Sequence, residues 1–568
     1  LLARDEHGVA WLLWHNATRS HTFYSRWLGT RFGAPYECRS LVGSSAAREI
    51  GDPLRGGLTA DNLPPIAVHT AQKEMALGSG ALGVALQKGD ASGAVYFDRL
   101  VVPELRAESG SKVLFVDMLQ VAETDGLVET FHPMKKHPAN PVLRPGPKGA
   151  FDDLRAHAYG EVLHENGLFR MWYSGWPAGA ARDPQNYKHY VGYAESRDGV
   201  SWVKRPLGQV EYGGSKANNI VDLDDRGEDT YMPMVVRDPA DTDPAHRYKM
   251  IVEQRRGNTL HFSADALRWT HEGAVNARLL PGSTQRNTAY WGDRRNLFYD
   301  TLERDPTRRW KVYSHCFGSP DHVRKTCRFW SPDLKAWTAD PGNPILHPRA
   351  GSEIEQHMTS VWPYGGLYIG MFDVWDPLQR MPQQMIASRD GRNFVHVFDG
   401  RGVIELGKPG EWDAGWTSPV NVPIEVGDEI WYYYSGNAAP IGFLTDFVYT
   451  PMATGLATIR RDGFVSLDLA PGRSTGSVTS IPFRAGADRP IDLEVNADGL
   501  GGGKGRLAVE VLDGEAVVAA SNWLAEDGVH VPVVWPEQGG VLRPAAGKPY
   551  RLRVRLEGSA RLYSFSFR

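Results

Sequence analysis

Cysteine is scarce in this chain of 568 residues: Cys38, Cys316 and Cys327 are the only three. An odd count excludes a full disulfide framework, and the spacing matches no metal-ligand pattern. Cys316 and Cys327 lie near enough in sequence to pair across adjacent strands, but two buried free thiols are the favoured expectation. No apolar run approaches the roughly 20 residues that cross a bilayer as a helix, so no membrane-spanning helix is expected. Charge of one sign is missing as well. The formal net charge is -4, which leaves no electrostatic footprint for nucleic acid or an anionic membrane surface. Nor does any long stretch repeat with helical periodicity.

Glycine and proline are plentiful instead, at 61 and 38 residues, as expected of many short strands joined by tight turns. One pattern recurs: a strand, Ser-x-Asp, about three residues, then an aromatic. It reads Ser196-Arg-Asp198-Gly-Val-Ser-Trp202, Ser263-Ala-Asp265-Ala-Leu-Arg-Trp269, Ser331-Pro-Asp333-Leu-Lys-Ala-Trp337 and Ser388-Arg-Asp390-Gly-Arg-Asn-Phe394, with a degenerate fifth copy at Arg460-Arg-Asp462-Gly-Phe464. Each period also holds an apolar strand and an aromatic-rich one, such as Phe169–Gly175 or Ile430–Gly436. Five such units predict an all-β fold with a five-bladed β-propeller over 112–464, each blade a strand–turn–strand–strand–turn–strand. The repeated aspartates read as hairpin-turn residues, because one acid per blade at one position cannot converge on a single site.

The flanks differ. Residues 465–568 alternate strands with glycine-rich turns and predict a C-terminal β-sandwich. Residues 1–111 mix strand-like pieces with polar loops and are expected to form an N-terminal β-rich accessory region. Lys112–Phe115 is expected to open the propeller unit.

Several stretches resemble the five-bladed propeller glycosidases, the superfamily of glycoside hydrolase families 32, 43, 62, 68, 117 and 130, and bacterial family-32-like proteins most. They are Leu114-Phe-Val-Asp-Met118 with His132–Pro141, Met171-Trp-Tyr-Ser174, Arg247-Tyr-Lys-Met250, Val361-Trp-Pro-Tyr364 and Leu562–Phe567. The resemblance spans about 112–568. It implies hydrolysis of a glycosidic bond in an oligosaccharide or glycoside, a furanoside among them, with no required cofactor. A structural calcium on the propeller axis is admitted. Family 32 also carries an Asn-Asp-Pro motif and an Arg-Asp-Pro motif. The first is absent here, and the second occurs three times, at 182–184, 237–239 and 304–306. Repetition at one blade position marks Asp238 and its counterparts as turn residues.

Glycoside hydrolysis needs two carboxyl groups, roughly 5–5.5 Å apart for retention and roughly 6.5–9.5 Å for inversion. The unrepeated acids near the starts of the inner strands are therefore the catalytic candidates. Blade one offers Asp153 and Glu161; the latter lies on an otherwise apolar strand, near where the resemblance to family 43 places a general base. Blade two offers Asp229. Blade three has no acid before Asp293, and Arg286 and Asn287 are taken as substrate holders. Blade four offers Glu355 as the leading acid, with His357 on the same strand face; family 117, in this superfamily, uses a histidine as its acid. Blade five offers Asp413. Trp176 and Trp416 are candidate sugar-stacking platforms, and His157 a candidate contact, with structural roles favoured for His157, His261 and His315. No metal site is predicted.

Two other readings stay open: phosphorolysis or transglycosylation on the same fold, for which Arg255, Arg256 and Arg286 are the basic residues that would meet phosphate, and a carbohydrate-binding propeller without catalysis. The latter predicts acids that point apart or pair with arginines. Self-association into a homo-oligomer is left open. A secreted or periplasmic location is slightly favoured over the cytoplasm.

Overall fold

The computed structural model describes residues 105–568, apart from 182–187, 225–228, 239, 255–256, 278–294, 318–322, 350–352, 420–421, 441–449, 485–491 and 537–541; residues 180–181, 276–277, 317 and 399–400 are described by backbone alone. Before residue 105 it describes the backbone of two sheets. One is four-stranded, from Leu2–Arg4 to Tyr36–Glu37, and the other joins Met75–Gly78, Ala81–Gln87 and Val95–Val101. The chain is all-β. Among the described residues the one α-helical turn is Ala178–Ala181.

Five antiparallel meanders follow one another along the chain. The first holds Arg155–Glu165, Leu168–Trp176 and Tyr190–Ser196; the second runs from Thr230–Arg237 to Thr270–Ala274, and the third from Arg295–Tyr299 to Ala336–Ala339. The fourth runs from Glu355–Tyr364 to Phe394–His396, and the fifth holds Trp416–Pro419, Ile424–Val426, Glu429–Asn437 and Met452–Arg460. Their first strands pack against one another in that order, and the fifth sheet returns to the first through a parallel bridge, Arg155 to Met452. Lys135–Lys136, from before the first sheet, pairs with Met452–Arg460 and completes the fifth. The first strands are therefore covered on both faces. Glu355–Tyr364 is almost continuously buried, the pattern of a doubly packed strand rather than of a half-exposed one.

The repeated turns are built locally. Ser196 Oγ donates to Asp198 Oδ1 at 2.8 Å, and the Val200 and Ser201 amides donate to the same oxygen at 2.9 and 2.7 Å. Those amides hold the Asp198 carboxyl well below the usual range. Asp265, Asp333 and Asp390 repeat the pattern. The next residue takes a positive φ in all four: Gly199 (71°), Ala266 (65°), Leu334 (65°) and Gly391 (68°). Trp202 and Trp337 close their turns by donating Nε1–H to the carbonyls of Gly199 and Leu334. Asp333→Ala is expected to cost about 1–2 kcal/mol, the size of a lost cap, seen as a lower urea midpoint with unchanged activity per folded molecule. The Arg-Asp-Pro acids are turn residues too. Asp238 accepts from the Ala240 amide and from Lys249, while Asp305 caps Pro306–Arg308. Asp183 lies outside the described residues.

The fifth copy departs from this scheme. Asp462 is buried and accepts from Lys112 Nζ (2.8 Å), Tyr364 Oη (2.6 Å) and Ser564 Oγ (2.6 Å). It ties the fourth sheet to one of two further sheets made largely by the C-terminus. One of these orders Leu127–Phe131, Val465–Leu469, Arg561–Phe567, Leu493–Asp498 and Gly528–Pro532, with Lys112–Leu114 added on Arg561–Phe567. The other holds Val121–Asp125, Thr475–Ser480 and Pro549–Gly558, with Phe483–Arg484, Leu105–Arg106, Gly505–Asp513 and Ala516–Ala520. Lys112–Leu114 thus does not open a blade: it pairs with a strand some 450 residues away, a partner that no local pattern reveals.

Cys316 and Cys327 form a disulfide, not two free thiols. Their strands pair so that Ser314 faces Cys327 and Cys316 faces Lys325. This diagonal leaves the Cα atoms 5.8 Å apart, within the span a disulfide bridges.

Candidate active site

An irregularity interrupts the first strands of sheets one, two and four: between His157 and Glu161, Tyr231 and Met234, and Gln356 and Thr359. Such bulges re-aim side chains where a strand nears a site. At the second, Met232 takes φ 57° and its amide donates to Ser174 Oγ of sheet one at 3.0 Å. Around these bulges Tyr159, Met232, Met381, Trp416 and Met452 form one apolar cluster, with Tyr231 and Trp375 packed against it. Sheets one, two, four and five meet there.

Two polar groups border that cluster. On the Tyr231 side, His189 donates from Nδ1 to Asp229 Oδ1 at 2.9 Å, and its ring stacks on Tyr231 with centroids 4.7 Å apart. Trp176 also packs against His189, with centroids 4.7 Å apart, and lies under the Arg155 guanidinium at 4.1 Å. Tyr231 Oη donates to Glu253 Oε1 at 2.8 Å, and Arg295 of sheet three donates to Glu253 Oε2 at 2.8 Å. On the Trp375 side, Arg324 donates to Glu355, whose Oε2 lies 3.6 Å from His357 Nε2. The His357 ring meets Trp375 edge-on at 5.9 Å, and its carbonyl accepts from His315 Nδ1 at 3.1 Å. The carboxylates of Asp229, Glu253 and Glu355 stay partly open to solvent, at 19%, 26% and 14%.

The structure sorts the predicted residues. Asp229, Glu355 and His357 belong to the two groups just described; Trp176 does too, but it is buried beneath Arg155 and beside His189 and presents no open face for a sugar. Glu161 is buried on its strand, accepting from the Val162 amide. His157 is buried against Tyr159, with ring centroids 4.2 Å apart. Asp153 serves a loop, accepting from the amides of Gly149 and Ala178. Arg286 and Asn287 lie outside the described residues, as do Arg255 and Arg256.

Two further expectations need correcting. Trp416 is fully buried, and its Nε1–H donates to Asp373 Oδ2 at 3.2 Å, so it is part of the floor and presents no open face for a sugar to stack on. Asp413 is buried too, accepting from Lys136 Nζ at 2.6 Å and Tyr434 Oη at 2.9 Å. Sheet one repeats this set with Asp152, Lys204 and Tyr173. The enclosing loops match as well, Gly146 and Gly407 each donating to the aspartate carbonyl at 3.2 Å. A carboxylate recurring with the same partners in two sheets is scaffold. Asp413→Asn is expected to lower stability by about 2–3 kcal/mol, near the cost of breaking a buried pair, and to leave kcat within about threefold, because it touches none of the groups that border the cluster.

Sequence reasoning missed Asp373, Glu253, Arg295, His189 and Arg324. Asp373 is fully buried and accepts from the Met358 amide, Trp416 and Ser418 Oγ (2.7 Å). By strand register it stands where sheets one and five have Ser174 and Ser435. Its one signal was an acid inside the apolar run Met371-Phe-Asp-Val-Trp375. Among the described residues no group of three or more His, Cys, Asp or Glu could hold a metal ion.

No family model matches the chain. It is similar to an uncharacterized protein of Mycobacterium tuberculosis, known from two strains, at 38% identity over 61 residues, 10% of this chain and 19% of that protein. The chain thus spans about a fifth of the length of the curated relatives it matches. Among solved structures, it is similar to a glycosyl hydrolase from Bacteroides ovatus, with 13% identity over 58% of this chain and 94% of that one, TM-score 0.40. A family 117 glycoside hydrolase from Zobellia galactanivorans gives 13% identity over 59% and 90%, TM-score 0.37. An alpha-L-arabinofuranosidase from Podospora anserina in complex with cellotriose gives 10% identity over 58% and 98%, TM-score 0.38.

Proposed function

We propose that this chain is a glycoside hydrolase in which the five meanders are the blades of a β-propeller and the two C-terminal sheets a β-sandwich. One observation bears most of the weight. Two carboxylates from opposite parts of the ring, Asp229 and Glu355, each stand beside an imidazole at the border of one apolar cluster. Hydrolysis of a glycoside asks for such a division of labour, one group giving a proton to the leaving oxygen and the other activating water or attacking carbon. In this reading the Glu355–His357 unit supplies the proton and the Asp229–His189 unit serves the opposite face of the sugar. Buried aromatics and methionines beneath would exclude bulk water from the transition state. No step needs a cofactor or a metal. The disulfide supports a location outside the cytoplasm, where such bonds persist.

A second reading has an observation of its own. Arg324 pairs with Glu355 and Arg295 with Glu253, the pairing a binding propeller without catalysis predicts. Hydrolysis of a panel of nitrophenyl furanosides and pyranosides by wild type, Glu355→Gln and Asp229→Asn separates the two. Turnover on these activated glycosides lost in Asp229→Asn and only lowered in Glu355→Gln supports the hydrolase. Binding of oligosaccharide with no turnover in any of the three proteins favours the binding propeller.

A further inference from the structure

We propose that the Cys316–Cys327 disulfide is a positioning element of this site, holding the strand pair of sheet three that fixes Glu355 and His357; it rests on the reading of those two residues given above. Cys316 lies on Trp310–Phe317 and Cys327 on Arg324–Ser331. Both sulfurs are buried in the apolar core between sheets two and three, among Met234, Ile251 and Phe329. Their neighbours face the other way. His315, next to Cys316, donates to the His357 carbonyl, and Thr326, next to Cys327, bonds Gln356 Oε1 at 3.2 Å and Thr359 Oγ1 at 2.7 Å. Arg324, three residues before Cys327, donates to Glu355. Four of the five residues from 355 to 359 are thus gripped by side chains within three positions of a half-cystine.

The location argues for positioning rather than bulk stability. The two strands already pair at eight positions, and the link spans only 11 residues. Its restraint therefore falls on the turn end of the ladder, Cys316 with Lys325 and Phe317 with Arg324, the end that carries the residues touching 355–359. Arg324 sits on that last pair. Opening the disulfide would leave the hairpin folded but let Arg324 and His315 drift, and the Glu355–His357 unit with them.

The test is hydrogen exchange by mass spectrometry on the full chain, comparing wild type with Cys316→Ala/Cys327→Ala. Exchange over residues 355–359 is expected to rise about tenfold in the variant while the Asp198 and Asp390 turns stay unchanged, because protection follows local opening. Equal exchange at 355–359 in both proteins overturns the proposal. Wild type reduced in place by dithiothreitol gives the same comparison should the variant not fold. There the S–S bond breaks, two thiols form, the dithiol closes to its cyclic disulfide, and denatured protein gains two titratable thiols. On a hydrolysed glycoside, kcat should fall about tenfold with KM within twofold, as for a displaced catalytic group, and reoxidation should restore it. Exchange needs no turnover, so a protein without glycosidase activity would sink the hydrolase reading and still decide this one.

Discussion

Glu355→Gln is expected to lower kcat/KM on an alkyl or natural glycoside by about 10²–10⁴-fold, the usual contribution of a positioned acid–base group. Glutamine keeps the shape and can still accept from Arg324, so binding and fold should survive. It cannot carry the transferable proton that the unit with His357 is proposed to deliver. The decisive comparison is between leaving groups. A nitrophenolate departs with little help, so loss of the proton-donating unit should cost it far less than it costs an alkoxide. A variant equally impaired on both substrates would point to a role for Glu355 other than proton delivery. Asp229→Asn should behave in the opposite sense, impairing both leaving groups alike, because attack on the sugar carbon is common to them. If instead both variants match wild type on every substrate turned over, the two-unit mechanism fails outright.

What the sequence revealed and what it hid follow the range of the interactions. The Ser-x-Asp turns were legible because each is closed within three residues, by the aspartate and two following amides. The same locality made the Arg-Asp-Pro acids readable as turns. Glu355 and His357 were legible because alternation along one strand puts both on one face. The Asp229–His189 pair was not, since its members lie 40 residues apart and meet only when sheets one and two pack. Asp413 misled for the opposite reason. As one acid before a strand it looks catalytic, and only its match to Asp152, with Tyr434 for Tyr173 and Lys136 for Lys204, exposes it as scaffold. Lys136 reaches it from well before the first sheet, a contact that exists because Lys135–Lys136 pairs with the last strand of the fifth. The disulfide was hidden in the same way: strand register, not spacing in sequence, brings its two halves together.

Asp462 should carry the largest effect on stability. Its carboxylate is buried, and burial alone would raise its pKa; Lys112, with the hydroxyls of Ser564 and Tyr364, overrides that and holds it below the usual range. Burial and the same carboxylate push the Tyr364 hydroxyl far up, so it remains a neutral donor. Asp462→Asn leaves Lys112 without its counter-charge between the fourth sheet and the C-terminal sheet that holds Ser564, at a cost of about 3 kcal/mol, as when one partner of a buried pair is removed. The pH dependence follows from the direction of the shift. A carboxyl whose folded pKa is depressed contributes its full stabilisation above the unfolded value of about 3.9 and loses it as pH falls through the folded value. The gap in unfolding midpoint between wild type and variant should therefore be constant from neutral pH down to about 4 and close below it. A gap that persists undiminished at lower pH would mean that the Asp462 charge is not what joins the sheets, and that the packing of Tyr364 on Phe464, with rings 6.3 Å apart and edge-on, does so instead.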